Sequence, residues 1–121
     1  MKTIVICDDS PMVRKLIAVA MRDCDYRILI AEDGQEGLQL SRSEKPDLVV
    51  TDLAMPNMNG VQLFDALRLE PDLKSIPVIF LTALTGTDLI GLAQARPVHS
   101  IIAKPFSPGE LRAQIAAVFE S

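Results

Sequence analysis

Residues 48–60 read LVVTDLAMPNMNG and carry the clearest structural pattern in the chain. The first four residues form a continuous run rich in valine, which is typical of a parallel strand covered on both faces. Asp52 follows this run directly, Pro56 interrupts the chain, and Asn59-Gly60 opens a helical pattern. The stretch therefore predicts a buried strand that places a carboxylate at the carboxyl end of a sheet. After a turn, the chain is predicted to continue as a helix.

Four more short apolar runs recur along the chain, and helical patterns separate them. These runs are residues 3–7, 27–31, 78–81 and 100–103. Strand and helix alternate five times, which predicts an α/β domain with one parallel sheet. Because parallel crossovers are right-handed, helices are expected on both faces of the sheet, in a three-layer sandwich.

Residues that commonly cap helices precede these helical patterns. Ser10 is followed by Pro11 at the first helical position, where the missing N–H of proline costs no hydrogen bond. Capping-box patterns occur at residues 33–36 and 107–110, which read DGQE and SPGE. The fourth helix, expected at about residues 87–95, has the weakest pattern because glycines and a proline disfavour a helix there. It is predicted to be short or mobile.

The composition predicts a single folded domain that does not bind nucleic acid. The chain has 121 residues, 49% of them hydrophobic, and a formal charge of −4 at pH 7. Its basic residues are scattered, and the longest basic run, Arg14-Lys15, is expected on a solvated helix face. Neither a signal peptide nor an apolar stretch of about 18 residues is visible. We therefore expect a cytoplasmic protein without membrane contact, with Cys7 in the core and both cysteines reduced.

Polar side chains follow four of the five predicted strands. Asp8-Asp9 follows the first strand, Asp52 the third, Thr82 the fourth and Lys104 the fifth. In parallel α/β sheets, ligands bind outside the carboxyl ends of the strands. Each residue alone has another explanation, such as a helix cap, a turn or a surface lysine. Together, at the ends of neighbouring strands, they predict one site.

The charges in this group favour a magnesium site. Three carboxylates and one ammonium group sum to −2, which one Mg²⁺ would neutralise. Magnesium prefers oxygen ligands and keeps several waters, so two carboxylates and a backbone carbonyl suffice. Without a cation the three carboxylates would repel one another and raise their pKa values. No histidine or cysteine lies in a pattern that would indicate zinc instead.

Taken together, these motifs resemble the receiver domains of two-component response regulators over essentially the whole chain. Residues 52–60 match the family's DxxMPxMxG signature at every fixed position. Asp8-Asp9, Thr82-Ala83 and residues 104–106, which read KPF, follow the other strands in the family's order. The resemblance implies a flavodoxin-like doubly wound (βα)5 fold with strand order 2-1-3-4-5. It also implies that residues 1–121 form a single receiver domain with no output domain.

The resemblance implies a role for each residue near the metal. Asp52 would be the phosphoacceptor, a carboxylate nucleophile that forms an acyl phosphate. Asp9 and Asp52 would coordinate Mg²⁺ directly, and Asp8 would do so through a water molecule. The backbone carbonyl of Ala54 would supply a further ligand, and Mn²⁺ could replace Mg²⁺.

The resemblance also implies a phosphoryl site and a switch. Lys104 would bind one phosphoryl oxygen and Thr82 another. In the family, a side chain three residues before the lysine then rotates inward. The surface formed by the fourth helix, fifth strand and fifth helix, here named the output face, is remodelled with it. In this chain the switch position is Ile101, where Tyr or Phe is more usual, so the aromatic form of the switch is not expected.

The implied partners follow from this chemistry. A histidine kinase or phosphotransfer protein would supply the phosphoryl group, and an unidentified downstream protein would read the output face, where a homodimer could also form. The chain would be a signalling module and not a metabolic enzyme. Ala54 and Leu84, two variable pocket positions, carry no group that positions an attacking water, which predicts a long-lived aspartyl phosphate.

Three alternatives remain at this point. A phosphorylation-independent interaction module would keep the fold and signal by binding alone; Pro97 and Ile101 favour it slightly, and the intact acidic residues count against it. A hydrolase of the haloacid-dehalogenase type would need a second acid at the position of Ala54. A nucleotide-binding protein would need a glycine-rich phosphate loop, and none follows any predicted strand.

Overall fold

A computed structural model describes residues 1–83 and 88–120 of the chain. The strands are β1 (Lys2–Cys7), β2 (Tyr26–Ala31), β3 (Leu48–Asp52), β4 (Val78–Thr82) and β5 (Ser100–Ala103). The helices are α1 (Pro11–Ala20), α2 (Gly34–Glu44), α3 (Gly60–Arg68), α4 (Asp88–Gln94) and α5 (Pro108–Glu120). All strands are parallel, in the order β2-β1-β3-β4-β5. The predicted α/β class and the strand order implied by the resemblance are confirmed.

Helices cover both faces of the sheet, and each face has its own core. One core, which includes Val5 and Leu63, lies between the sheet and α2, α3 and α4. The other, which includes Ile4, Ile17 and Ile115, lies between the sheet and α1 and α5. Because side chains alternate between the two faces of a strand, the neighbours Ile4 and Val5 enter different cores. Every residue of β3 and β4 is buried, which explains why these runs are continuously apolar.

Cys7 is a core residue, as predicted. It is fully buried at the end of β1, and burial raises the pKa of its thiol to about 12. Its sulfur packs against Gly37 of α2, where an added Cβ would lie 2.4 Å from Sγ. Since the thiolate is the nucleophilic form, Cys7 contributes packing and no reactivity at neutral pH.

The predicted residues cap the helices. Ser10, Asp33 and Ser107 each accept a hydrogen bond from the backbone N–H three residues later. Asn59 does the same at α3, and there the side chain of Gln62 accepts a bond from the Asn59 N–H. Among the described residues this complete capping box forms only at α3, whereas α2 and α5 have the forward bond alone.

Helix α4 is short, as predicted, with 7 residues. Residue 87, the expected start, lies outside the described residues. Arg96 holds the C-terminal end of α4, because its Nη1 donates to the Leu92 carbonyl at 2.7 Å. Its Nε and Nη2 also donate to the two carboxylate oxygens of Asp65 on α3, at 2.9 and 2.8 Å. No helix within the described part of the chain is long and apolar enough to cross a membrane.

The backbone passes very close to itself at Gly60, where α3 begins. The Gly60 N–H donates to the Leu53 carbonyl at 2.9 Å. A Cβ added at Gly60 would lie 2.3 Å from the carbonyl oxygen of Asp52. That oxygen belongs to the backbone and cannot move aside cheaply, so glycine is needed for α3 to begin directly against the end of β3.

We expect Gly60→Ala to lower the free energy of unfolding by about 1–3 kcal/mol, because the added methyl group overlaps the backbone of Asp52. Gly91→Ala is the matched control, since nothing lies within 4 Å of a Cβ added there. Helix propensity should make that variant more stable by up to about 1 kcal/mol. Urea unfolding of both variants beside the wild-type chain measures the difference. Equal effects would contradict the close approach at Gly60.

Candidate functional site

Asp8, Asp9 and Asp52 meet at the carboxyl edge of the sheet. Strands β1 and β3 are neighbours, so the residues that follow β1 lie beside the last residue of β3. One carboxylate oxygen from each aspartate lies within 4.8 Å of the other two. Asp8 is completely buried, Asp52 is 7% exposed and Asp9 is exposed. The structure thus brings together the three carboxylates that the sequence placed at strand ends.

Lys104 reaches this cluster from the end of β5, which is two strands away from β3. Its Nζ lies 2.9 Å from Oδ2 of Asp8 and 2.9 Å from Oδ2 of Asp52. Burial lowers the pKa of Lys104, but the hydrogen bonds to Asp52 and Asp8 more than offset it, so the pKa is raised above 10.5. The ammonium group therefore stays charged between the two carboxylates. The peptide bond that follows it, to Pro105, is cis.

The acidic cluster holds more negative charge than Lys104 balances. Burial raises the pKa of Asp52 above 3.8, the bond from Lys104 lowers it, and the nearby charge of Asp8 raises it again. The net direction is upward, so ionised Asp52 is held at a cost in the folded chain. A further cation beside Asp52 would relieve that cost.

A cavity of about 100 Å³ opens beside Asp52. Its lining residues are Asp52, Leu53, Ala54, Thr82, Ala83, Leu89 and Lys104. Thr82 is the buried last residue of β4, and Ala54 is exposed on the loop after β3. Leu89 of α4 is a lining residue that sequence reasoning missed, because the weak pattern of α4 gave no sign of which residue faces the cavity. Leu84, a predicted pocket position, lies outside the described residues.

Ile101 does not belong to this cavity. It is a partly buried residue of β5, opposite Phe80 of β4, and it packs against the core beside α3 and α4. It is not among the described residues that line the cavity. Its role as a switch stays a prediction.

The loop between β3 and α3 is docked on the start of α2. Asn57 has the positive φ of 67°, and its Nδ2 donates to Oδ2 of Asp33 at 2.6 Å. The Gly34 N–H donates to the Met58 carbonyl at 3.1 Å. Bonds from the Glu36 N–H and the Asn57 amide lower the pKa of Asp33, so this carboxylate stays ionised and holds both partners. The contact fixes the loop that carries Ala54, and no local sequence signal joined Asn57 to Asp33.

The expectation that Arg14-Lys15 lies on a solvated helix face is wrong for Arg14. Lys15 is exposed, but the Arg14 side chain is only 21% exposed. Its Nη1 donates to the backbone carbonyl of Asp8 at 2.8 Å, and its Nη2 lies 3.8 Å from Oε1 of Glu32. Helical side chains lean toward the helix N-terminus, so a long side chain in the first turns of α1 reaches back over the loop after β1. The position of Arg14 near the start of α1 was the sequence signal that could have predicted this contact.

The donor set fits a hard divalent cation such as Mg²⁺. Both oxygens of Asp8 already accept hydrogen bonds, from the Ser10 N–H at 2.8 Å and from Lys104. Among the described residues, no hydrogen bond or ion pair reaches the exposed side chain of Asp9. Asp9 is therefore free to offer its oxygens, whereas Asp8 is engaged elsewhere. This is consistent with direct coordination by Asp9 and coordination through water by Asp8.

A family model of the response regulator receiver domain matches residues 4–116. The chain therefore belongs to the response regulator receiver domain family. The resemblance carried by the strand-end motifs is confirmed. Receiver domains are phosphorylation-accepting signalling modules of two-component systems and not metabolic enzymes, and they generally bind Mg²⁺.

Individual relatives agree with the family model. The chain is 38% identical over 119 residues to the phosphate regulon transcriptional regulatory protein PhoB of Pseudomonas aeruginosa. It is 32% identical over 114 residues to the DNA-binding response regulator MtrA of Mycolicibacterium smegmatis. These alignments cover 97% and 94% of this chain but 51% and 49% of the relatives, so the chain spans about half the length of the curated relatives it matches.

A solved structure shows the same fold over nearly the full length of the chain. The chemotaxis response regulator CheY4 of Vibrio cholerae superposes with a TM-score of 0.88 and 27% sequence identity. The match covers 98% of this chain and 98% of that chain.

Asp52→Asn should stabilise the metal-free protein at neutral pH. Because the folded-state pKa of Asp52 is raised, its contribution to stability is fully present below the unfolded value of 3.8 and is lost as the pH rises through the folded value. The neutral amide avoids that loss. The advantage of the variant should therefore grow as the pH rises from about 3 to about 7, as measured by urea unfolding in a metal chelator.

Asp65→Asn is the matched control, and its effect on stability at neutral pH should be opposite to that of Asp52→Asn. The bond from Arg96 lowers the folded-state pKa of Asp65, so its contribution is present above 3.8 and is lost as the pH falls. Since this ion pair is half-exposed, the substitution should cost at most about 1 kcal/mol at neutral pH and less in acid. Destabilisation by both variants at neutral pH would contradict the account of Asp52.

Proposed function

We propose that the chain accepts a phosphoryl group on Asp52 in a Mg²⁺-dependent transfer from a histidine kinase or phosphotransfer protein, or from a small phosphodonor. The observation that carries this proposal is the grouping of three carboxylates within 4.8 Å beside Lys104, whose Nζ lies 2.9 Å from Asp52. A buried carboxylate, two neighbouring acidic groups and a hydrogen-bonded ammonium group thereby share one edge of the sheet, next to a cavity of about 100 Å³.

The reaction asks little of the protein beyond placement and charge. A carboxylate oxygen of Asp52 forms a bond to phosphorus while the bond between phosphorus and the donor breaks, which leaves an acyl phosphate. Lys104, already at hydrogen-bond distance from Asp52, binds an oxygen of the incoming group. Asp9, Asp52 and the Ala54 carbonyl would hold Mg²⁺, with Asp8 acting through water. The bound cation would stabilise the negative charge that develops on the phosphoryl oxygens during transfer.

Thr82 is the proposed link from the site to the output face, formed by α4, β5 and α5. Thr82 lines the cavity and pairs in register with Ala103 of β5. A bond from its hydroxyl to a phosphoryl oxygen would shift β4 against β5, and Ile101 would repack in the core beside α3 and α4. A downstream protein, or a second copy of the chain, would bind the output face in one of the two packings.

Intact mass spectrometry tests the proposal directly. The wild-type chain should gain one phosphoryl group when it is incubated with Mg²⁺ and a small phosphodonor such as acetyl phosphate. Asp52→Asn should gain none, because the amide is not a nucleophile at phosphorus. Lys104→Met should be phosphorylated at least about tenfold more slowly, because an ammonium group no longer meets the phosphoryl oxygens.

Lys45→Met is the matched control for the lysine. Lys45 forms an exposed ion pair with Asp72 at 3.9 Å and is not a lining residue of the cavity, so its removal should leave the rate unchanged. Equal phosphorylation of wild type and Asp52→Asn would assign the acceptor elsewhere. No phosphorylation, with metal binding demonstrated, would make the phosphorylation-independent interaction module the better interpretation.

The aspartyl phosphate should persist for minutes or longer once the donor is removed. Ala54 lines the cavity and has no side-chain group that could orient an attacking water, and Leu89 beside it is apolar. Ala54→Gln places an amide there and should speed the loss by about tenfold or more, whereas Ala54→Val, the apolar control, should not. Intact mass over time measures both. Loss from the wild type within seconds would contradict the prediction.

A further inference from the structure

We propose that Arg14 is a positioning residue for the metal ligand Asp9. The inference rests on the proposed function, because it concerns the same cation site. Arg14 acts through the backbone, since its Nη1 donates to the carbonyl oxygen of Asp8 at 2.8 Å. That carbonyl belongs to the peptide group that joins Asp8 to Asp9. Because a peptide group is planar, a bond that holds its oxygen also fixes the direction in which the Asp9 backbone leaves it.

Asp9 is oriented through its backbone, which the bond from Arg14 to the Asp8 carbonyl holds on one side and the bond from the Ser10 N–H to Oδ1 of Asp8 holds on the other. Its side chain is exposed, and among the described residues no hydrogen bond or ion pair reaches its carboxylate. A cation ligand in this state is placed only by its own backbone. Groups that orient metal ligands from outside commonly matter about tenfold or more for affinity.

Asp8 supplies the fixed point from which Asp9 extends. Its N–H donates to the Ala31 carbonyl at 3.1 Å, and its carboxylate oxygens accept from the Ser10 N–H and from Lys104. The bond from Arg14 occupies the remaining polar group, the carbonyl. With all four groups engaged, Asp8 cannot rotate, and the peptide group toward Asp9 has one orientation.

Arg14 folds back over the loop after β1 and does not extend into solvent. Its side chain is 21% exposed, although it stands on the first turns of α1 next to the exposed Lys15. Its Nη2 lies 3.8 Å from Oε1 of Glu32, directly after β2. The guanidinium thus bridges the loops that follow β1 and β2. The planar guanidinium of arginine has several N–H donors and can face both the Asp8 carbonyl and Glu32, whereas a lysine would offer a single point charge.

Charge and positioning predict opposite results when Arg14 is removed. As a cation near the acidic cluster, Arg14 repels Mg²⁺ or Mn²⁺, so its loss through charge alone would tighten metal binding. As the residue that holds the peptide group before Asp9, it improves the site, so its loss would weaken binding. The direction of the change therefore separates the two roles.

The test is Mn²⁺ binding to the full chain without any phosphodonor, with free Mn²⁺ measured by electron paramagnetic resonance. Arg14→Met should bind Mn²⁺ about tenfold more weakly than the wild type. Arg14→Lys keeps the charge and loses the fork, and it should also bind more weakly. Lys15→Met, which removes a charge from the next residue without touching the loop, should stay within about twofold of the wild type. A cooperative urea transition verifies that each variant is folded.

Two results overturn the inference, and they are distinguishable. If both Arg14 variants bind Mn²⁺ as tightly as the wild type or more tightly, Arg14 acts by charge or not at all, and the proposed function stands. If the wild type does not bind Mn²⁺, or Asp9→Asn binds it equally well, the cation site itself is wrong. The proposed function then falls together with the inference.

Discussion

Two buried carboxylates, Asp8 and Asp52, share one ammonium group at the carboxyl edge of the sheet, and this unbalanced group dominates the electrostatics of the site. Asp8 and Asp52 lie at the ends of neighbouring strands, and Lys104 crosses above the end of β4 to reach both at 2.9 Å. Burying like charges at one edge is costly, and a single lysine offsets only part of that cost. A divalent cation bound beside Asp52 would offset the remainder. The strand order 2-1-3-4-5 places the two carboxylates side by side, and burial makes their uncompensated negative charge costly.

The backbone around this group is braced on several sides. Gly60 allows α3 to begin against the Asp52 carbonyl, Asn57 ties the intervening loop to Asp33, and Arg14 holds the Asp8 carbonyl. These contacts come from three different helices. In the proposed function, such bracing would let the site bind a cation and a phosphoryl group with little rearrangement, and preorganisation of this kind strengthens electrostatic stabilisation.

Much of the fold and the site could be predicted because the determining features are local. Each strand end is marked by its own residue, and parallel strands necessarily bring those ends together, so the sequence alone is enough to group Asp8, Asp52 and Lys104. The helix caps are local as well. Arg14 was misplaced because its helical position does not say whether a long side chain extends into water or folds back over a loop. The bond from Asn57 to Asp33 joins residues 24 apart in the chain, and no periodic pattern reports such a contact.

The anchoring of α4 by Arg96 has a mechanical consequence. Arg96 ties the Leu92 carbonyl near the C-terminal end of the helix to Asp65 of α3. A helix of 7 residues is about 10 Å long. If α4 tilts as a unit about the end that Arg96 holds, the displacement increases toward its N-terminal end. Leu89, which lines the cavity beside Asp52, is the second residue of α4 and lies near that end. A displacement of Leu89 at the cavity wall would therefore tilt the α4 surface about the end that Arg96 holds.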